Sequence, residues 1–260
     1  MPATSTATNP KGVTITFTEA DHKYVTPDID DFISSSTIVH HFFEPFDMIG
    51  TANRIAGKRG TTPEALLQEW EDNKNRACDF GTRTHENCEY QFANRLQDIH
   101  TPRNEKEQNT FSVAWDAVAM LQSKYTLIGC ELIVFSERFR LAGTIDLLMY
   151  DPVEDTYWIL DWKTNKQIDF KDRYGKLGKN PIQYLSDCNG THYALQLSIY
   201  EFIMRHEGYL SDKSKIKRAI IHLKEDKPYW HELPDMSKEV ALMIMFYNSR
   251  DWELIKGLPF

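Results

Sequence analysis

Two aspartates and a lysine carry the strongest chemical signal in this sequence. Asp161 and Lys163 stand two residues apart in the run YWILDWK, and Asp146 follows a glycine-containing turn in GTIDLLMY. Residues i and i+2 of a strand share a face, so Asp161 and Lys163 point the same way. Pairing of the two strands would bring Asp146 beside Asp161. Converging carboxylates need a cation, and Mg²⁺ prefers such hard oxygen ligands.

A lysine beside such a metal can orient or deprotonate a water, or stabilise charge on a phosphate oxygen. The set therefore favours metal-assisted hydrolysis of a phosphodiester. Each part alone has an ordinary explanation: an isolated D-x-K is most often a solvated strand end, and Asp146 alone could be a turn residue.

Two further sequence elements, one before and one after the strands with Asp146, Asp161 and Lys163, could contribute to the same site. His85, in GTRTHE, could supply an imidazole to a metal, although a histidine on a helix is more often a surface or core residue. Gln196 and Tyr200 are four residues apart and would share one helix face. They could contact a base, a phosphate or a catalytic neighbour, or belong to an ordinary amphipathic helix.

Composition limits the classes of protein that this chain can be. Its 260 residues are 41% hydrophobic and 26% charged, which is typical of a folded chain and excludes a collagen-like or disordered one. A net charge of −8 excludes a basic DNA-coating protein. No apolar run reaches the length of a membrane span, and the N-terminus lacks the apolar segment of a secretion signal, so we expect a cytoplasmic or organelle-matrix location.

The four cysteines do not form a C-x-x-C pair, which argues against a zinc ribbon. We expect free thiols in a reducing compartment, packed as small buried hydrophobes.

Hydrophobic patterning predicts an α/β fold. A strand-like segment spans 13–25 and a short helix before Pro45 follows. Residues 164–190 form a polar stretch long enough to be a functional loop. Helices are predicted at 48–57, 63–70, 79–96, 111–125, 192–206 and 236–256, and strands at 130–135, 145–150, 157–161 and 216–223.

Positive charge is concentrated in two segments. Residues 162–181 hold six Lys or Arg against two Asp, and residues 48–63 hold three and no acid. These are candidate phosphate contacts, although a solvated loop is the simpler explanation. Tyr174 and three phenylalanines, Phe42, Phe43 and Phe46, could stack on unpaired bases. The phenylalanines are nevertheless expected in the core, as is Trp158. The candidate DNA-binding residues are Arg54, Lys58, Arg59, Lys166, Lys171, Arg173 and Tyr174.

The ordered set GTRTHE, GTID, DWK and QLSIY resembles the RecB-like branch of the PD-(D/E)XK nucleases, and is similar to the stand-alone exonucleases of phages, viruses and mitochondria. HKYV…SSSTIVHHFFEPFD resembles the segment that forms an arch over DNA in such proteins. The resemblance implies a central mixed sheet flanked by helices, with an N-terminal helical arch region. It also implies one nuclease domain over 13–260, divided into an arch over 13–77 and a catalytic core over 78–260. The Thr, Ser, Pro and Gly content of residues 1–12 predicts a flexible tail before this domain.

The resemblance also implies roles for individual residues. His85, Asp146 and Asp161 would bind Mg²⁺ or Mn²⁺, with the backbone carbonyl of Trp162 as a further ligand. Lys163 would be the catalytic lysine, and Gln196 and Tyr200 would position DNA. Glu131 could touch a second metal, although Glu137 competes for this role, because strand register decides which of the two points inward.

Some relatives hold a [4Fe–4S] cluster with three cysteines after the Q-x-x-x-Y helix. No cysteine follows Cys188 here, so we expect no iron–sulfur cluster. The expected partner is DNA, single-stranded or with a free end, and the expected reaction is exonucleolytic. A flap or junction endonuclease and a non-catalytic nucleic-acid-binding module are the alternatives. The sequence leaves the oligomeric state open.

Overall fold

The structure is a computed structural model that describes residues 4–248. A small antiparallel sheet comes first, in the order β1–β2–β3, and a larger mixed sheet contains the other six strands. The strands are β1 (Thr4–Thr8), β2 (Thr14–Thr18), β3 (Lys23–Val25), β4 (Ile33–Ser34), β5 (Thr126–Ser136), β6 (Leu141–Asp151), β7 (Thr156–Lys163), β8 (Lys215–Leu223) and β9 (Pro228–Leu233). The helices are α1 (Ser35–His41), α2 (Met48–Ala56), α3 (Pro63–Phe92), α4 (Glu105–Lys124), α5 (Asn189–Glu207) and α6 (Ser237–Tyr247).

The small sheet corrects the expectation of a flexible tail over 1–12. Residues 4–8 form β1 and pair in register with β2, from Thr4 opposite Thr18 to Thr8 opposite Thr14. Threonine is a β-branched residue that suits a strand, and the hydroxyls of Thr8 and Thr14 are hydrogen-bonded at 2.8 Å. Within 13–77, the region predicted as a helical arch, β2 and β3 match the strand-like pattern predicted over 13–25, and β4, α1, α2 and the first half of α3 follow.

The two helices predicted over 63–70 and 79–96 are one helix, α3, of 30 residues. Its start follows the sequence signals, because the Thr62 side chain accepts a hydrogen bond from the N–H of Ala65 and Pro63 occupies the first turn. Residues 71–78 contain no glycine or proline, so nothing in their backbone chemistry interrupts the helix.

A gap in the hydrogen bonding of β6 is the feature of the large sheet that matters most for the site. β5 pairs along one side of β6. On the other side, β4 pairs only with Leu141 and Ala142, and β7 pairs only from Leu147 to Asp151. Within the described residues, 143–146 of β6 therefore have no strand partner on that side. The sheet opens there, and Asp146 lies at the edge of the opening.

Helices cover both faces of the large sheet, as the sequence predicts for an α/β fold. Helices α1, α5 and α6 pack on one face against residues such as Leu148 and Ile159. The helices α3 and α4 pack on the other face against residues such as Leu160 and Trp162. Trp158 also packs there, on the side of β7 opposite Asp161, so its predicted core position is confirmed.

Other expectations about packing are partly wrong. Phe42 and Phe43 are buried as predicted, but Phe46, in the segment between α1 and α2, is 58% exposed. Cys78 is exposed on α3, whereas Cys88 and Cys188 are buried, and all four cysteines are free thiols. Strand β9 is absent from the predicted elements, and the predicted helix over 236–256 is described only to residue 248.

None of the helices within residues 4–248 combines the length and the apolar composition that crossing a bilayer requires.

Gly143 lies inside β6 rather than in the predicted turn. A glycine is required there because side chains of α5 and α1 approach its backbone closely. A Cβ atom at this position would lie 2.5 Å from Cε1 of Tyr200 and 2.8 Å from Oγ of Ser35. We expect Gly143→Ala to destabilise the protein by about 1–3 kcal/mol, because the packed ring of Tyr200 must move. Urea denaturation measures the change. Gly129→Ala is the matched control in β5, since its added Cβ would meet its nearest atom, in Leu132, at 3.4 Å; equal losses for both variants would contradict the steric explanation.

Candidate active site

A cavity of about 510 Å³ lies at the opening of the large sheet. Its lining comes from the small sheet, from α1, α3 and α5, and from the middle of β5 and β6. The residues that line it are Ser5, Phe17, Glu19, His22, Tyr24, Ser34, Ser35, Ser36, Thr82, His85, Glu86, Glu89, Glu131, Ile133, Gly143, Thr144, Asp146, Gln196 and Tyr200.

Asp146 lies at the centre of the polar part of this cavity. Its Oδ2 accepts a hydrogen bond from the backbone N–H of Trp162 at 2.9 Å, across the gap between β6 and β7. The same oxygen is 3.2 Å from Nδ1 of His85, which α3 supplies. The pairing of Leu147 with Leu160 places Asp161 opposite Asp146 on the neighbouring strand. The predicted convergence of the two aspartates is therefore present.

Glu131, not Glu137, faces the cavity. Cys130 pairs with Leu147 and Leu132 pairs with Ile145, so Glu131 is opposite Asp146 across the two strands. Its φ of 49° is a left-handed conformation that a non-glycine residue rarely adopts, and such strain is concentrated at functional sites. Glu137 instead accepts a hydrogen bond from Oγ1 of Thr26 at 3.0 Å.

The donor set fits a divalent cation. One ligand atom from each of His85, Glu131 and Asp146 can be chosen so that all three lie within 4.8 Å of one another. Glu131 keeps contact with solvent, but partial desolvation of its carboxyl group and then the Asp146 carboxylate raise its pKa to about 8. Burial and the Asp146 carboxylate raise the pKa of Asp161 to about 6. A divalent cation would offset this repulsion, and carboxylate oxygens with one imidazole suit Mg²⁺ or Mn²⁺.

Asp161 and Lys163 form an ion pair at the end of β7, as the shared strand face predicts. Burial acts to lower the pKa of Lys163, but the carboxylates of Asp161 and Asp146 outweigh it and the pKa is raised. The lysine is therefore an ammonium ion at neutral pH, suited to stabilising negative charge rather than to accepting a proton. Its Nζ also lies 5.0 Å from the ring centroid of Tyr193, a cation–π contact that the sequence did not indicate.

Gln196 and Tyr200 meet as their helical spacing predicts. Nε2 of Gln196 donates to the Tyr200 hydroxyl at 2.8 Å, and both residues line the cavity. Burial raises the pKa of Tyr200 well above its ordinary value, so the hydroxyl stays protonated. Glu86 also lines the cavity, but its carboxylate is paired with His100 at 2.5 Å.

The basic residues singled out in the sequence lie outside the cavity. Arg54, Lys58 and Arg59 are exposed on α2 and the turn after it, and Arg59 is paired with Glu69 at 3.4 Å. The other four are exposed on the loop between β7 and α5, namely Lys166, Lys171, Arg173 and Tyr174. Sequence reasoning missed three aromatic lining residues, Phe17, His22 and Tyr24, because alternation predicts their strands but not the surface that those strands cover.

The raised pKa values lead to a prediction about stability in the presence of a metal chelator. Glu131 and Asp161 bind protons in the folded state that their unfolded forms, with pKa values of 4.5 and 3.8, release. Their contribution to stability is therefore complete at low pH and is lost as pH rises through about 6 and then 8. Thermal melting with EDTA is expected to give a lower Tm at pH 8 than at pH 6, and Mg²⁺ is expected to raise Tm more at pH 8. A Glu131→Gln variant controls for the other titrating groups, since it should show a smaller pH dependence; an unchanged dependence would contradict the prediction.

The sequence of this chain is similar to a known family of nucleases. A model of the PD-(D/E)XK nuclease superfamily matches residues 29–255. The chain is similar to the crystal structure of a presumed exonuclease from Eubacterium rectale, with 19% sequence identity, a TM-score of 0.38 and 80% of each chain covered. No curated protein sequence matches the chain. The match to the superfamily spans most of the sequence and includes every residue of the site described above except those of the small sheet. The chain therefore belongs to the PD-(D/E)XK nuclease superfamily.

Proposed function

We propose that this nuclease is a divalent-metal-dependent DNA exonuclease of the RecB-like branch. The observation that carries the proposal is the meeting of His85, Glu131 and Asp146 beside the Asp161–Lys163 pair. A binding module needs no such combination of ligands and ammonium group, so the alternative of a non-catalytic nucleic-acid-binding module is disfavoured. The motif order GTRTHE, GTID, DWK and QLSIY supports assignment to this branch.

In the proposed reaction, water attacks the phosphorus of a phosphodiester and one phosphorus–oxygen ester bond breaks. The released ester oxygen takes up a proton, so the products are a phosphate monoester and a hydroxyl end. A bound Mg²⁺ or Mn²⁺ would polarise a phosphate oxygen and lower the pKa of the attacking water. His85, Asp146 and Asp161 would hold the cation together with the Trp162 carbonyl, and Glu131 would be a further or second-metal ligand. The Lys163 ammonium would stabilise the charge that develops on the phosphate oxygens.

Gln196 and Tyr200 would position the DNA from α5, because their hydrogen bond fixes both side chains at the wall of the cavity. The exposed basic residues of α2 and of the loop before α5 would contact phosphates farther along the strand. We also propose one nuclease domain, with residues 13–77 as the arch and 78–260 as the catalytic core. Residues 4–12 would belong to the arch, since β1 is paired with β2.

The size of the cavity supports action on an unpaired strand or a strand end. A volume of about 510 Å³ suits a single small ligand, such as one or two nucleotides, rather than a duplex segment. End-labelled linear single strands and a circular single strand of the same sequence, each with Mg²⁺ or EDTA, test the proposal. We expect Mg²⁺-dependent loss of the linear strands only. Digestion of the circle at the same rate would indicate an endonuclease instead, and no digestion of any DNA would overturn the proposed function.

A further inference from the structure

The small sheet contributes an aromatic surface to the cavity that also contains the carboxylates. Phe17 on β2 and Tyr24 on β3 are stacked, with ring centroids 4.5 Å apart and an interplanar angle of 28°. The His22 ring contacts Phe17 edge-on at 5.3 Å. All three residues line the cavity with His85, Glu131 and Asp146.

This aromatic surface is held close to the metal-ligand candidates. The Tyr24 hydroxyl is hydrogen-bonded to Oγ1 of Thr144 at 3.1 Å. Thr144 precedes Asp146 by two residues on β6, so both side chains project from the same face of that strand. The Tyr24 hydroxyl therefore contacts β6 two residues before Asp146, and Phe17 is stacked on the Tyr24 ring.

Other contacts fix the small sheet to the rest of the protein. Nζ of Lys11, in the turn between β1 and β2, is 2.7 Å from Oε2 of Glu207 at the end of α5, and Glu207 is buried. Oγ1 of Thr26 donates to Glu137 after β3. An aromatic surface that is fixed before a ligand arrives loses little conformational entropy on binding.

The three rings differ in how much they contribute to the core. Tyr24 is 5% exposed and packs with Ile15 and Phe135 in the core between the small sheet and β5. Phe17 is only partly buried, and His22 is exposed with a φ of 54° at the turn between β2 and β3. Phe17 and His22 therefore keep ring surface available to a ligand, while Tyr24 supports Phe17 from behind.

We propose that Phe17, together with His22, stacks on the base of the nucleotide whose phosphate lies at the carboxylate cluster. This inference rests on the proposed nuclease function and adds the form of the substrate. Stacking on an aromatic side chain is available to every base and requires a base that has left the duplex. The site would therefore accept an unpaired nucleotide with little preference for sequence, and the small sheet would select against paired ends.

The test compares a linear single strand with the same strand carrying a run of abasic nucleotides at its ends. Wild-type protein is expected to lose roughly 5- to 150-fold in kcat/KM on the abasic strand, as the loss of one base–aromatic stack predicts. Phe17→Ala is expected to lose a similar factor on the intact strand and little more on the abasic strand. The loss should appear in KM more than in kcat, because stacking binds the ground state as well as the transition state.

Phe246→Ala is the matched control, since Phe246 is exposed on α6 and does not line the cavity. It should keep the full abasic penalty of the wild type. Two further variants test the stacking role if Phe17→Ala does not fold. Phe17→Leu retains apolar packing against Tyr24 without a planar ring, and His22→Ala alters an exposed side chain. Variants of Phe17 and His22 that keep the wild-type abasic penalty would overturn the stacking role while Mg²⁺-dependent digestion persisted. Absence of digestion by the wild type would instead overturn the proposed function and this inference with it.

Discussion

Replacing Lys163 by methionine is expected to lower kcat for DNA hydrolysis by about 10³-fold, with a much smaller effect on KM. Methionine keeps an unbranched apolar side chain in the half-buried position but removes the ammonium that lies against Asp161. The negative charge that develops on the phosphate in the transition state would then no longer be stabilised by a cation at the end of β7. Initial rates on an end-labelled single strand at saturating Mg²⁺ measure the effect.

Lys213→Met is the control for the loss of one positive charge, because Lys213 is exposed before β8 and outside the cavity. It should retain wild-type rates. Lys163→Arg separates charge from geometry, since it restores a cation with a different shape and should recover only part of the activity. A Lys163→Met protein that digests DNA within about tenfold of the wild-type rate would contradict the proposed role of the ammonium.

Exchange of Glu131 for glutamine is expected to weaken Mn²⁺ binding and to lower activity, each by about a hundredfold. This is the largest effect that is usual when a side chain supporting a metal ligand is removed, and Glu131 is proposed to be a ligand itself. The change removes one carboxylate from the group formed with His85 and Asp146 while keeping the size of the side chain. Calorimetric titration with Mn²⁺ in the absence of DNA gives the affinity, and Mg²⁺-dependent digestion gives the activity.

Glu137→Gln is the matched control, because the two glutamates compete for the same role in the sequence. The amide oxygen of a glutamine at 137 can still accept the hydrogen bond from Thr26, so affinity and activity should stay within about twofold of wild type. Equal effects of the two substitutions, or none from Glu131→Gln, would remove Glu131 from the proposed metal site.

The opening in the large sheet explains why these groups can meet. If β6 were paired along its whole length, the N–H groups of the neighbouring strand would donate to backbone carbonyls of β6. Among residues 4–248, no strand pairs with β6 between its contacts with β4 and β7, and the Asp146 side chain accepts a hydrogen bond from the Trp162 N–H instead. Tyr200 and Ser35 occupy part of this opening and approach Gly143 closely.

The sequence by itself determined the local features of this protein. Strand alternation put Asp161 and Lys163 on one face, helical spacing joined Gln196 to Tyr200, and the meander brought Asp146 opposite Asp161. The first two follow from a period of two or of 3.6 residues, which short-range backbone geometry sets, and the third follows from the pairing of consecutive strands in a meander. The order of the motifs also identified the superfamily to which the chain belongs.

Only the tertiary structure decided which surfaces face each other across long sequence separations. The choice of Glu131 over Glu137 depends on the register of β5 against β6, and the position of Phe17 depends on where the small sheet docks. The exposed basic residues were assigned from a local excess of positive charge, which carries no information about distance from the cavity. The register of β5 depends on where the turn before β6 begins and on which strand faces are buried, and docking depends on packing between elements that are far apart in the chain, so no local pattern encodes either of them.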